Sequence, residues 1–194
     1  DDLNPLSIKN LLHIPEKLQT VFRNQDQTLL TAKLCRGMAA VLGFSSGDRN
    51  LLYKAALAHD CGYLLLDRDR LARTIAKREI DDEDFKFIQS HAAAGIGYFG
   101  EAKLPDEFRS AIVHHHERKD GSGYPDGLKK DEIPLFARVI GIAETFAALV
   151  SKRSYRDKRD VTHALAIISD GARSKFDPDH IEALAKVAAS IEVA

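Results

Sequence analysis

Two histidine-led pairs carry the chemistry of this chain: His59-Asp60 and, far downstream, His115-His116. Imidazole nitrogen and carboxylate oxygen are donors that hold divalent transition metals. Adjacent donors recurring in separate apolar segments imply that those segments converge in space. His115 also opens the run HHERKDGSGYPDGL, so a glycine-rich, charged loop follows directly on the second pair, as a lid over a site would. A third segment supplies His91. Neighbouring side chains on a helix diverge by about 100°, so His59 and Asp60 suit two ions better than a shared single one. In a binuclear site with ions roughly 3.5–4 Å apart, a carboxylate bridges, imidazoles flank it, and water there ionises near neutral pH. Asp60 is the expected bridge, with His59 on one side and His91, His115 and His116 on the other. His13, His163 and His180 each stand alone and read as surface or satisfied core residues. His114 reads as a supporting or solvent-facing neighbour of the pair.

Helices must position these donors. Apolar residues recur at helical spacing through most of the chain and period-two alternation is nearly absent, which predicts an all-α fold built as one helical bundle. Residues 29–42 form one expected helix, stopped by Gly43. Ser46 is the expected N-cap of the next, which carries His59 at its end and closes near Gly62. Asp81 or Asp82 starts a helix through His91, and Pro105 fits the first turn of one reaching His116. The most apolar helix is expected over 133–150, followed by shorter ones over 161–172 and 178–191. Residues 1–25, with Pro5 and Pro15, form an N-terminal arm or short helix, and 26–194 one domain.

Composition narrows the function. A chain of 194 residues with 44% hydrophobic content can bury a full core without covalent staples. Its formal net charge of −1 lacks the basic excess of long nucleic-acid binders, so a nucleic-acid polymer is not the expected partner. A small charged ligand fits better. Two cysteines without CxxC spacing, Cys35 and Cys61, agree with a reducing cytoplasm, and membrane insertion is not expected. Cys61 beside Asp60 reads as a small buried side chain rather than a redox sensor. The chain opens at Asp1 without an initiator Met, so a segment of a longer protein is expected.

HDCG at His59, HAAAG at His91, HHE followed by DGSGYPDGL, then Ile133-Pro134, an apolar helix and RSYR together resemble the HD-GYP branch of the HD superfamily of metal-dependent phosphohydrolases. The resemblance runs over about 28–179, and HHERKDGSGYPDGL is its most specific part. It implies an all-α fold around two or three metal ions, often iron or manganese, and hydrolysis of cyclic di-GMP to pGpG or GMP. It also implies a cytoplasmic setting behind a sensor or receiver module and docking of diguanylate cyclase (GGDEF) domains through the GYP loop. On this resemblance His59, Asp60, His91, His115 and His116 stand at metal-ligand positions, with His59 and Asp60 central to catalysis. Gly123, Tyr124 and Pro125 form the name motif over the substrate cleft. Arg153 and Arg156 stand at substrate-phosphate positions, where guanidinium forks match phosphate oxygens.

The chain departs from the family pattern at several places. An upstream ligand histidine is replaced by Gln27, a poor transition-metal donor. The aspartate ligand after the loop is Glu144, which can still coordinate through oxygen. The lysine of HDxGK is Tyr63, which removes a fixed positive charge from the site, and a later carboxylate position is Ala147. One metal position therefore keeps its expected ligands, while the His59 side is expected to be weaker. Two functions follow: a cyclic di-GMP phosphodiesterase, or a signalling module with little turnover that binds nucleotide or a GGDEF partner.

Overall fold

The structure is a computed structural model that describes residues 25–77, 79–151 and 160–190. Eight α-helices lie among the described residues: α1 (Gln25–Val41), α2 (Ser46–Ala58), α3 (Arg68–Ala76), α4 (Asp82–Ala94), α5 (Asp106–His114), α6 (Leu135–Val150), α7 (Val161–Ala166) and α8 (Pro178–Ala188). Short 3₁₀ turns follow α2 (Cys61–Leu65) and α4 (Gly95–Phe99) and precede α6 (Lys130–Glu132), and a π turn follows α7 (Ile167–Gly171). No strand occurs among the described residues, as the periodicity predicts.

Oxygen-bearing side chains set most helix starts. Ser45 caps α2 by accepting from the Asp48 amide, one residue ahead of the expected Ser46, because Ser45 keeps an extended ψ of 160° while Ser46 is already helical. Asp67, Asp81 and Asp160 cap α3, α4 and α7 in the same way. α1 begins at Gln25 and stops at Gly43, whose φ of 79° is the left-handed stop expected there. α5 ends at His114 rather than His116, and α6 starts at Leu135 because Pro134 occupies its N-cap. The helix over 68–76 has no counterpart among the expected elements. Within it only Leu71 and Thr74 are buried.

α6 is the centre of the bundle. Phe136, Val139, Ile140, Ile142, Ala143, Phe146 and Val150 are all buried, so the helix needs neighbours on most sides. α1, α5, α7 and α8 supply them. Burying a side chain such as Phe146 contributes about 1.5–3 kcal/mol. α1 and α2 make the most extensive helix pair, with Ala32, Ala39, Ala55, Ala56 and Ala58 all buried. These small side chains allow close approach and bring the C-terminus of α2, with His59 and Asp60, down beside α6. Among the described residues no helix is long and apolar enough to cross a membrane. The expected arm over 1–25 lies almost wholly outside the described residues, as do Arg153 and Arg156.

Candidate metal centre

Helix ends gather the donors. His59 is the C-cap of α2, and Asp60 then leaves helical geometry with φ −94° and ψ 5° to start the 3₁₀ turn. That break removes the divergence a continuous helix would impose, and both side chains reach one centre. Gly62 makes the turn possible: a Cβ there would strike the His91 carbonyl oxygen. His91 sits in the last turn of α4, His115 is the C-cap of α5, His116 follows it, and Glu144 projects from α6.

Asp60 lies between two donor groups. One donor atom from each of Asp60, His91, His115 and His116 falls within 4.8 Å of the others, and the same holds for His59, Asp60 and Glu144. Asp60 Oδ1 is 3.4 Å from His91 Nε2 and 3.8 Å from His115 Nε2, while Oδ2 is 3.2 Å from His59 Nε2. His116 Nδ1 lies 3.8 Å from Glu144 Oε2. The carboxylate thus lies between a three-histidine group and a group of His59 and Glu144.

The proton positions favour a cation. Nδ1 of His59, His91 and His115 lies 2.6, 2.7 and 2.7 Å from the carbonyls of Ala56, Ile88 and Ile112. A carbonyl only accepts, so each Nδ1 carries a proton, and each Nε2 faces inward, where its lone pair can serve a cation. His91 Nε2 and His115 Nε2 face each other at 3.4 Å, lone pair to lone pair. Despite its closeness to Asp60, His59 Nε2 is outside hydrogen-bonding geometry, and it and Glu144 Oε2 are buried without a hydrogen-bond partner. Buried lone pairs converging with no donor between them are costly unless a cation satisfies them, so these residues fit divalent ions.

Electrostatics differ across the centre. Burial, with neighbouring imidazoles adding to it, holds His115 well below the ordinary histidine range and lowers His116 to about 2, so both stay neutral. Burial also opposes charge on His59, but the Asp60 and Glu144 carboxylates outweigh it and raise His59 to about 9, so the same negative charge that draws a proton to its Nε2 would draw a metal cation in that proton's place. Burial works against the Asp60 charge, yet His59 and His91 hold its carboxyl well below the usual carboxylate range. Burial pushes the Glu144 carboxyl up. The Cys61 thiol, raised to about 12 by burial, donates to the Gly95 carbonyl at 3.3 Å and is buried.

Two departures from the family pattern take definite places. The Tyr63 ring lies flat on His91, with centroids 4.0 Å apart and planes 8° from parallel, so an aromatic face replaces the expected lysine charge. Gln27 is buried in the first turn of α1.

The loop after His116 is seated on this centre. Tyr124 stacks on His116 with centroids 4.5 Å apart, and its amide donates to the His116 carbonyl at 3.3 Å. Gly123 packs so closely on the chain that a Cβ would overlap Glu117 Cα, the Arg118 amide and the His116 carbonyl. The Tyr124–Pro125 peptide is cis, and Pro125 faces solvent. His114 is neither a ligand nor idle: its Nε2 lies 3.0 Å from Asp126 Oδ2, which ties the helix to the loop.

Sequence reasoning missed Glu117. It is 3% exposed, and its carboxylate accepts three loop amides: Asp126 and Gly127 on Oε1 at 2.7 and 3.0 Å, and Leu128 on Oε2 at 3.0 Å. In sequence it is one charge within HHERKD. Its spacing of nine to eleven residues from the cluster DGL was the available signal.

A family model described as HD domain matches residues 10–180. The chain belongs to the HD domain family. Its GYP loop and its relatives make it of the HD-GYP type. It is 34% identical over 149 residues to a 3'3'-cGAMP-specific phosphodiesterase 3 of Vibrio cholerae, covering 77% of this chain and 32% of that protein. It is 32% identical over 185 residues to a cyclic di-GMP phosphodiesterase of Thermotoga maritima, covering 94% and 48%. The HD-GYP chain thus spans about a third to a half of these relatives' length. Among solved structures it superposes on Bd1817, an HDG"Y"P protein from Bdellovibrio bacteriovorus, with a TM-score of 0.66, 19% identity and coverage of 95% of this chain and 57% of that one. That likeness establishes the fold.

Proposed function

We propose that this domain is a metal-dependent phosphodiesterase that opens cyclic di-GMP to linear pGpG or GMP. The observation that supports it most is the shared carboxylate: Asp60 belongs both to the three-histidine group and to the group with His59 and Glu144. Relatives named for cyclic di-GMP and cGAMP hydrolysis support the substrate class. In this reading Asp60, His91, His115 and His116 hold one divalent ion. His59, Asp60 and Glu144 hold a second, weaker one, with iron or manganese as the metals. When bound, such a pair acidifies water and neutralises phosphate charge. The hydrolysis adds a water oxygen to phosphorus and releases the ribose 3′ oxygen as a hydroxyl.

The chain's own groups do the rest. The backbone carbonyls of Ala56, Ile88 and Ile112 fix the tautomers of His59, His91 and His115, so nitrogen lone pairs are presented without reorganisation. Gly123, Tyr124 and Pro125 cover the cleft, with Tyr124 held on His116. Arg153 and Arg156 act on substrate phosphates. A cytoplasmic setting, a preceding regulatory domain and a GGDEF partner at the GYP loop complete the reading.

The test is product formation. Cyclic di-GMP and cGAMP are incubated with protein loaded with Mn²⁺ or Fe²⁺, with His59→Ala and Asp60→Ala as controls. Linear product above both controls supports the reading, and its absence overturns it. The uncharged Tyr63 ring on His91 favours a second reading, a module that binds nucleotide with little turnover. Gln27→His combined with Tyr63→Lys decides the cause: the double variant gains activity if the missing ligand and charge limit turnover. No gain removes that explanation.

A further inference from the structure

α4 begins with an aromatic side chain that the fold leaves in solvent. Phe85, on its first turn, is 50% exposed, while the buried positions of this helix are Asp84, His91 and Ala92. Its ring is not isolated. It meets the Tyr124 ring edge-on at 6.3 Å and 77°, Tyr124 stacks on His116, and His116 meets His91 edge-on at 5.1 Å. A continuous run of rings therefore leads from the protein surface into the donor cluster. Phe85 lies six residues before His91 on the same helix, about 9 Å of rise. That is the scale of one nucleotide, measured from its phosphate to the far edge of its base.

We propose that Phe85 is a nucleobase-stacking residue, receiving one purine of a cyclic dinucleotide whose phosphate lies at the donor cluster. The inference rests on the phosphodiesterase reading and extends it to the base. A phenyl face offers no hydrogen bonds, so it binds any purine by stacking. Phe85 consequently adds affinity without separating guanine from adenine, and discrimination between cyclic di-GMP and cGAMP must come from other groups. Helical rigidity presents the ring at little ordering cost, and Tyr124 stands as the wall between base and metal centre.

The test is equilibrium binding of a hydrolysis-resistant phosphorothioate cyclic di-GMP to the metal-loaded domain, with inorganic phosphate as the probe lacking a base. Phe85→Ala weakens dinucleotide binding about tenfold or more, from the usual worth of one base–aromatic stack. Phe85→Leu, apolar but without a π face, is weakened as Phe85→Ala is, and Phe85→Trp restores binding. Phosphate binding and metal content stay at the unsubstituted level in all three. Wild-type affinity in Phe85→Leu overturns the proposal by showing simple apolar contact, and parallel loss of phosphate and metal overturns it by showing a structural role. If the unsubstituted domain binds phosphate but no dinucleotide, the substrate reading fails and this subsite with it, whereas an unchanged Phe85→Ala on a domain that binds dinucleotide refutes the subsite alone.

Discussion

Glu117→Gln is the sharpest probe of how the loop is held over the centre. The two carboxylate oxygens do different work: Oε1 accepts two amides, from Asp126 and Gly127, and Oε2 accepts one, from Leu128. A glutamine whose carbonyl takes the Oε1 place keeps two of the three bonds but sets its NH₂ against the Leu128 N–H, donor to donor. Hydrogen bonds to charged groups contribute about 1.5–3 kcal/mol, so the lost bond and lost charge together cost about 2 kcal/mol, and Glu117→Ala, which loses all three, about 3–5 kcal/mol. Amide hydrogen exchange resolves the pattern. In Glu117→Gln the Leu128 amide exchanges roughly 30-fold faster while Asp126 and Gly127 remain the better protected pair. In Glu117→Ala all three are exposed, and kcat/KM falls because Tyr124 loses its seat on His116. Unchanged exchange at 126–128 in Glu117→Ala would refute this view of the carboxylate as the loop's anchor.

Gly123→Ala places a methyl against three backbone atoms of residues 116–118, which shifts the chain beside His116 and costs about 2–3 kcal/mol; a wild-type urea midpoint contradicts this. His180 gives a pH signature. It is buried, and burial lowers its pKa, with Arg138 and Lys119 adding to the effect against Asp177 and Asp179. Below the unfolded value of about 6.5, the unfolded chain takes up a proton that the folded one resists, so stability falls as pH drops through that window. His180→Gln makes the decline in denaturation midpoint between pH 7 and pH 5.5 shallower, and an equal decline contradicts the assignment.

Much of this architecture is legible in local chemistry. Gly43 ends a helix and Asp81 starts one because a left-handed stop and a side-chain cap are one-residue devices. The donor pairs are legible because adjacency at helix ends is itself unusual, and the structure assembles His59, Asp60, His91, His115, His116 and Glu144 into two groups sharing Asp60. What sequence hides is partnership at a distance. Glu117 looks like any exposed charge until the loop folds back and aims three amides at it. Tyr63 reads as a lost lysine, and only the fold turns it into a ring lying on a ligand histidine. The helix over 68–76 is hidden because two buried positions do not make a period.

Metal stoichiometry tests the shared carboxylate most directly. The purified domain, loaded anaerobically with Mn²⁺ or Fe²⁺ and freed of excess ion, is assayed for bound metal beside Asp60→Asn and His59→Ala. Two equivalents in the unsubstituted domain, the second released first as free ion is withdrawn, loss of that weaker one in His59→Ala and loss from both positions in Asp60→Asn are the predicted results. Retention of two equivalents by Asp60→Asn would contradict the placement of Asp60 between two ions.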